Sequence, residues 1–170
     1  MEEQINITAI RAEKLEGQKK FIKAITDSGV SIKINKSIVT LSAESGFGIL
    51  LAKNAVLAFN RGFDSKTSSL LLDDAYDLAI INVGDYSGSK NRQEELKGRI
   101  IGTRGLIKKR LSIATGCYIK VFGKTVSVIG PYQNINLAVE AIEMLLSGAK
   151  HNSVFSAIDR RKLENIELWK

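Results

Sequence analysis

Gly102-Thr103-Arg104-Gly105 is the tetrad in this chain whose residue types and spacing suit a definite chemistry, and that chemistry is anion binding. Two glycines three apart let a backbone bend sharply and approach a ligand closely. The apolar pattern that follows starts a helix near Leu106. There the unpaired backbone N–H groups and the helix dipole favour a phosphate. Arg104 adds a charge at the same place. Residues 98–124 carry seven basic side chains, Arg99, Arg104, Lys108, Lys109, Arg110, Lys120 and Lys124, and no acid. Such a stripe beside a glycine turn is a cradle for a phosphate backbone rather than a scattered solvated face. Glycine pairs at this spacing also arise by chance, so the flanks matter. Ile100 and Ile101 precede the turn, and Ile107 and Ile119 follow it. Each of these four suits an apolar groove or the core equally well.

Other constellations carry less. Gly123-Lys124-Thr125 resembles the end of a nucleotide-binding loop, but Tyr118 stands where that loop needs glycine. Asp73-Asp74 falls between elements and reads as a cap or an interdomain contact. His151 has no cysteine or second histidine near it and reads as packing, capping or an RNA contact. With one cysteine, Cys117, and one histidine, neither a disulfide framework nor a metal site is expected. No cofactor is implied, and no set of residues forms a catalytic constellation, so the chain reads as a non-enzyme. Aromatic residues are only 6% of the chain, which does not support a base-stacking platform.

The chain has 170 residues, a net charge of +7, 44% hydrophobic and 25% charged residues. Those values suit a well-packed protein, and the positive balance suits a nucleic-acid partner. The acidic start and the lack of a long apolar run predict no signal peptide, no membrane span and a cytoplasmic location.

The elements that must position the tetrad occur twice. GQKKFIKAITDSGVSIKI, from Gly17, aligns with GTRGLIKKRLSIATGCYIKV, from Gly102. Both run from a glycine through a basic helix to a stop, Gly29 or Gly116, and then into an Ile-Lys-apolar strand. Second strands follow, containing Val39 and Val126, and then apolar helices containing AVLAF and AVEAI. In the second copy, Leu78, Ile80, Ile81 and Val83 read as a buried strand, and residues 91–101 as a short helix. Ile107, Leu111 and Ala114 fall on one helix face. Cys117–Val121 and Val126–Ile129 form a hairpin turning at Gly123-Lys124. Ile135, Ala138, Val139, Ile142 and Leu145 line a long helix that ends at Gly148. Each copy is then a three-stranded sheet with helices on one face.

With this context, GRIIGTRGLIKKR resembles the KH domain, whose GxxG loop clamps about four nucleotides of a single strand. The resemblance implies an α+β fold of two eukaryotic-type (type I) KH domains. The first spans 1–75, the second 76–148, and a helical extension 149–170. Lys108 departs from the pattern, standing where many KH domains place an apolar residue. The first loop, Gly17-Gln18-Lys19-Lys20, has lysine for its second glycine, which predicts a weakened or lost clamp.

Nearly the whole chain is similar to one family. The stretches that carry this are AFNRGFDSKTSSLLLDDAYDLAIINV, GRIIGTRG, VFGKTVSVIG and GAKHNSVFSAIDRRKLE. The family is the archaeal tandem-KH ribosome-assembly factor called Partner of Nob, or Dim-two-like. It implies binding of single-stranded RNA at the 3′ end of small-subunit rRNA through the second KH domain. The implied partners are the Nob endonuclease and the alpha subunit of archaeal initiation factor two, with a monomer as the default state. A protein-interaction scaffold and a general single-stranded nucleic-acid binder are the competing readings.

Overall fold

A computed structural model describes residues 1–167, which fall into two compact units, one of residues 1–78 and one from Ala79 onward. Each unit is built on a three-stranded sheet whose last strand in sequence lies in the middle.

The first unit runs β1 (Glu2–Asn6), α1 (Ala9–Glu16), α2 (Lys19–Asp27), β2 (Ser31–Asn35), β3 (Ile38–Ser42), α3 (Gly46–Asn60) and a single-turn α4 (Ser65–Ser69). The central β3 pairs antiparallel on both sides, so Ile5 and Ile34 both stand opposite Val39. Alternation sends Val39 and Leu41 to one face, where both are fully buried. Phe21 and Ile25 of α2, four apart and so on one helix face, are buried as well.

The second unit repeats this order with β4 (Tyr76–Asn82), α5 (Lys90–Ile101), α6 (Leu106–Thr115), β5 (Tyr118–Phe122), β6 (Thr125–Pro131) and α7 (Tyr132–Leu146), then adds α8 (His151–Glu167). The sheet order is β4-β6-β5, and Ile119 and Val121 stand opposite Val128 and Val126. The fold class is therefore α+β with two KH-like units. The core joins Leu96 and Ile100 of α5, Leu111 of α6, Ile119, Val126 and Val128 of the sheet, and Ile135, Ala138, Ile142 and Leu145 of α7. Val154, Phe155 and Ile158 of α8 belong to the same core. At about 1.5–3 kcal/mol per fully buried large apolar side chain, α8 is an integral part of this unit rather than a loose appendage.

The expected buried strand at 78–83 is an edge strand instead. Ile81 and Val83 are buried, while Ile80 is 38% exposed, because successive side chains alternate between the faces. Helix stops fall at the expected glycines, with Gly29 at φ 85° and Gly116 at φ 69°. The left-handed conformation accommodates glycine without a Cβ penalty. The two hairpins turn alike. Gly123 has φ 57° in the second, and Lys36 occupies the same turn position in the first at φ 52°. No helix among the described residues is long and apolar enough to cross a membrane.

Candidate nucleic-acid interface

The glycine loop is an elbow between α5 and α6. Helix α5 ends where the Gly102 N–H donates to the Gly98 carbonyl at 2.8 Å. The backbone then turns through Gly102 (φ 70°, ψ 175°), Arg104 (φ 53°, ψ 29°) and Gly105 (φ 74°, ψ 14°). The two glycines do different work. A Cβ on Gly102 would lie 2.4 Å from Cγ1 of Ile107 and 2.9 Å from its backbone nitrogen, so glycine permits the close approach of the two helices. A Cβ on Gly105 would meet nothing within 4 Å. That glycine serves the left-handed turn and leaves the space above it open. No side chain caps the start of α6. The Gly105 N–H donates to the Gly102 carbonyl at 3.2 Å and the Leu106 N–H to the Thr103 carbonyl, so the elbow closes its own tight turn and leaves the helix start without a side-chain lid. Thr103 and Arg104 are exposed at the tip. Arginine in a left-handed conformation is strained by about 1–2 kcal/mol, which fits a position kept for contact rather than stability.

The basic residues separate into two groups. Arg104, Lys109 and Lys124 are exposed, and Lys108 is half-buried. Arg99 and Arg110 have structural partners. The Arg99 guanidinium donates to the Ala149 carbonyl, and His151 Nε2 lies 2.9 Å from the Arg99 carbonyl oxygen. Arg110 stacks on Phe155, its guanidinium carbon 3.8 Å from the ring centroid. Both arginines therefore hold α8 against the helices that carry the loop. Lys120 is not brought to the loop. Ile119 and Val121 pack toward the helical core, so alternation turns Lys120 to the opposite face of the sheet.

The apolar neighbours sort similarly. Ile100 is fully buried and Ile119 nearly so, which makes both core residues with little surface to offer a ligand. Ile101 is 37% exposed and Ile107 half-buried, so these two can border a bound nucleotide. Leu106, 63% exposed beside the loop, escaped the sequence reading, although an apolar residue directly after Gly105 in a basic run was its signal. Lys97 escaped it too. Its ammonium donates to the Gly123 carbonyl at 3.0 Å and ties α5 to the β5–β6 turn that carries Lys124.

In the first unit the corresponding connection has lost this geometry. Gly17 is ordinarily helical at φ −69°, Gln18 follows at φ −90°, and α2 already begins at Lys19. No residue of that connection is left-handed, and no open elbow forms. The minor candidates resolve as structural. Asp73 accepts from the Ala75 N–H at 2.9 Å as a turn cap, and Gly123-Lys124 is the tight turn of a hairpin. Cys117 is buried, and burial pushes its thiol pKa up, partly offset by a hydrogen bond with the Thr115 side chain.

This elbow, with a central third strand and a helix after it, is the arrangement of a type I KH domain. Residues 77–163 match the model of the eukaryotic-type (type I) KH domain, in the form found as the second KH domain of PNO1 proteins. The chain belongs to that family. A KH domain-containing protein of Methanocaldococcus jannaschii, MJ0443, is 31% identical over 177 residues, covering 98% of this chain and 78% of its own. Dim2p of Pyrococcus horikoshii superposes with a TM-score of 0.81 at 30% identity, covering 94% of this chain and 99% of that one. A second P. horikoshii structure, of an a/eIF2alpha–aDim2p–rRNA complex, contains a chain that matches with TM-score 0.84 and 31% identity, covering 96% and 95%. An Aeropyrum pernix protein of unknown function shares the fold at TM-score 0.89 and 24% identity. Membership of the PNO1-type KH family makes the chain an RNA-binding protein and not an enzyme.

Proposed function

We propose that this protein is an RNA-binding factor of small ribosomal subunit biogenesis. It takes single-stranded RNA near the 3′ end of small-subunit rRNA through the Gly102–Gly105 loop of its second KH unit. The observation that carries this is the elbow: an open, uncapped helix start flanked by Arg104, Lys108 and Lys109. A backbone phosphate accepts from N–H groups of the first turn of α6 beyond Leu106, whose own N–H is held by the Thr103 carbonyl, while the cations displace its counterions. The base beyond it lies against Ile101 and Ile107. A second Lys-rich but closed connection in the first unit leaves that unit without a clamp, so the second is the reader.

The P. horikoshii complex supports the target and one partner, since a chain 31% identical to this one occurs there with rRNA and a/eIF2alpha. We accordingly assign the alpha subunit of initiation factor two as a partner and the Nob endonuclease as the processing enzyme the factor serves. The protein acts in this reading as a cytoplasmic monomer. Titration with a short RNA matching the 3′ end of its small-subunit rRNA, beside a scrambled RNA and the equivalent DNA, tests the assignment. Preference for the rRNA end supports it. Equal affinity for all three would make the protein a general single-strand binder, and retention of partner binding alone would make it a scaffold.

A further inference from the structure

The first residue of α8, His151, stands on a cleft of about 470 Å³ that runs along one flank of the glycine loop. Glu95, Gly98, Arg99, Thr103, Leu106 and Ile107 are among the other residues that line it. On α5, positions 95, 98, 99 and 102 share one helical face. Lys97 and Ile101 lie on another, which Lys97 ties to the β5–β6 turn. The cleft is thus on the α8 side of α5, away from the hairpin, and it exists because α8 packs there.

Its chemistry follows from one hydrogen bond. A backbone carbonyl can only accept, so the 2.9 Å contact with the Arg99 oxygen requires a hydrogen on His151 Nε2. In the neutral ring Nδ1 is then an acceptor. Glu95, whose Oε1 lies 2.6 Å from Arg92, supplies a carboxylate, also an acceptor. In the same lining Leu106 is 63% exposed and a Cβ on Gly98 would meet nothing within 4 Å, so the cleft also offers apolar surface and open space. A lining that combines apolar surface with two acceptors suits a flat ring that carries donors on one edge. Among the four RNA bases, guanine alone presents two adjacent donors, N1–H and the exocyclic amine, on one edge.

We propose that this cleft is a second nucleotide subsite beside the clamp, selective for guanine, with Glu95 and His151 as its specificity-determining residues. The proposal rests on the RNA-binding reading of the loop. The test measures binding of oligouridine decamers that are unsubstituted or carry one central guanosine, inosine or adenosine. A single purine in a uniform strand can settle in the cleft whatever the register at the clamp. Wild-type protein should favour the guanosine strand over the inosine strand, which lacks only the exocyclic amine, by about tenfold. Whichever of Glu95→Gln and His151→Phe removes the acceptor of the exocyclic amine should abolish that preference, and both should leave affinity for the unsubstituted strand unchanged. Melting curves verify that His151→Phe is folded, and Glu95, being exposed, gives an independent readout. Equal binding of the guanosine and inosine strands by wild type, or retention of the preference in both variants, overturns the subsite. Failure of wild type to bind any strand overturns the RNA-binding reading itself.

Discussion

Alanine at Gly102 would place a methyl group 2.4 Å from Ile107 Cγ1 and 2.9 Å from the Ile107 nitrogen. The side chain can rotate away at the expense of a strained rotamer, but the nitrogen moves only if the elbow opens. The backbone at φ 70°, ψ 175° lies in a region that essentially only glycine occupies, a strain of about 1–3 kcal/mol. Overpacking adds about 1–3 kcal/mol, so the expected loss is about 2–6 kcal/mol. Gly105 has a similar φ of 74° but no neighbour within 4 Å, and its alanine variant should lose only about 1–2 kcal/mol. Urea unfolding followed by circular dichroism separates the two. Removing the obstructing side chain extends the argument. Ile107→Ala should destabilise the wild type yet return part of the loss in a Gly102→Ala background, a coupling readable as a double-mutant cycle. If Gly105→Ala proves as damaging as Gly102→Ala, or the cycle shows no coupling, the packing account of the elbow is wrong.

Four further outcomes follow from the structure. Lys36→Gly should stabilise the first unit by about 0.5–1 kcal/mol in thermal melts, because the left-handed turn strain exceeds the entropy that glycine adds. Arg110→Gln should lower stability by about 0.5–1 kcal/mol through the lost Phe155 stack and leave the salt dependence of RNA binding unchanged. Lys109→Gln should do the reverse, reducing the slope of log affinity against log salt by about 0.7. The Cys117 thiol, raised by burial, should resist a thiol-reactive dye in the folded protein and react at the unfolding rate. Because the folded thiol ionises above the unfolded one, its small contribution to stability is full below the ordinary thiol range and is lost as pH rises through the folded value. Reaction of the folded protein as fast as that of the urea-unfolded chain would contradict the buried placement.

The elements and the loop were legible because their signals are local. Periodicity located α5, α6, α7 and the hairpin, and the glycine spacing located the elbow. The internal repeat carried the duplicated fold, and it extends to a detail visible only in the backbone, the shared left-handed turn at Lys36 and Gly123. Burial within an uninterrupted apolar run was less legible. Ile80 and Ile81 are adjacent and identical, and only the neighbouring strand decides which one faces the core. The basic stripe was legible as charge but not as contact. Arg99 finds its partner at Ala149, just before α8, and Arg110 at Phe155 on α8, some fifty residues away, and no local pattern reports such pairings. Lys120 illustrates the opposite case. Its displacement follows directly from alternation with Ile119 and Val121, once those are assigned to the core. Gly102 and Gly105 are indistinguishable as letters, yet one is required by packing and the other by dihedral angle.

The most direct test of the central claim is the salt dependence of affinity for the rRNA 3′-end strand, measured for wild type and for Thr103→Asp combined with Arg104→Asp. Both side chains are exposed, so the variant should remain folded. A clamp at the elbow predicts that the variant loses at least tenfold in affinity and that its salt slope falls by about 0.7 for each phosphate contact removed. If the variant binds as tightly as wild type with the same slope, the elbow does not hold the phosphate backbone, and the second KH unit is not the reader.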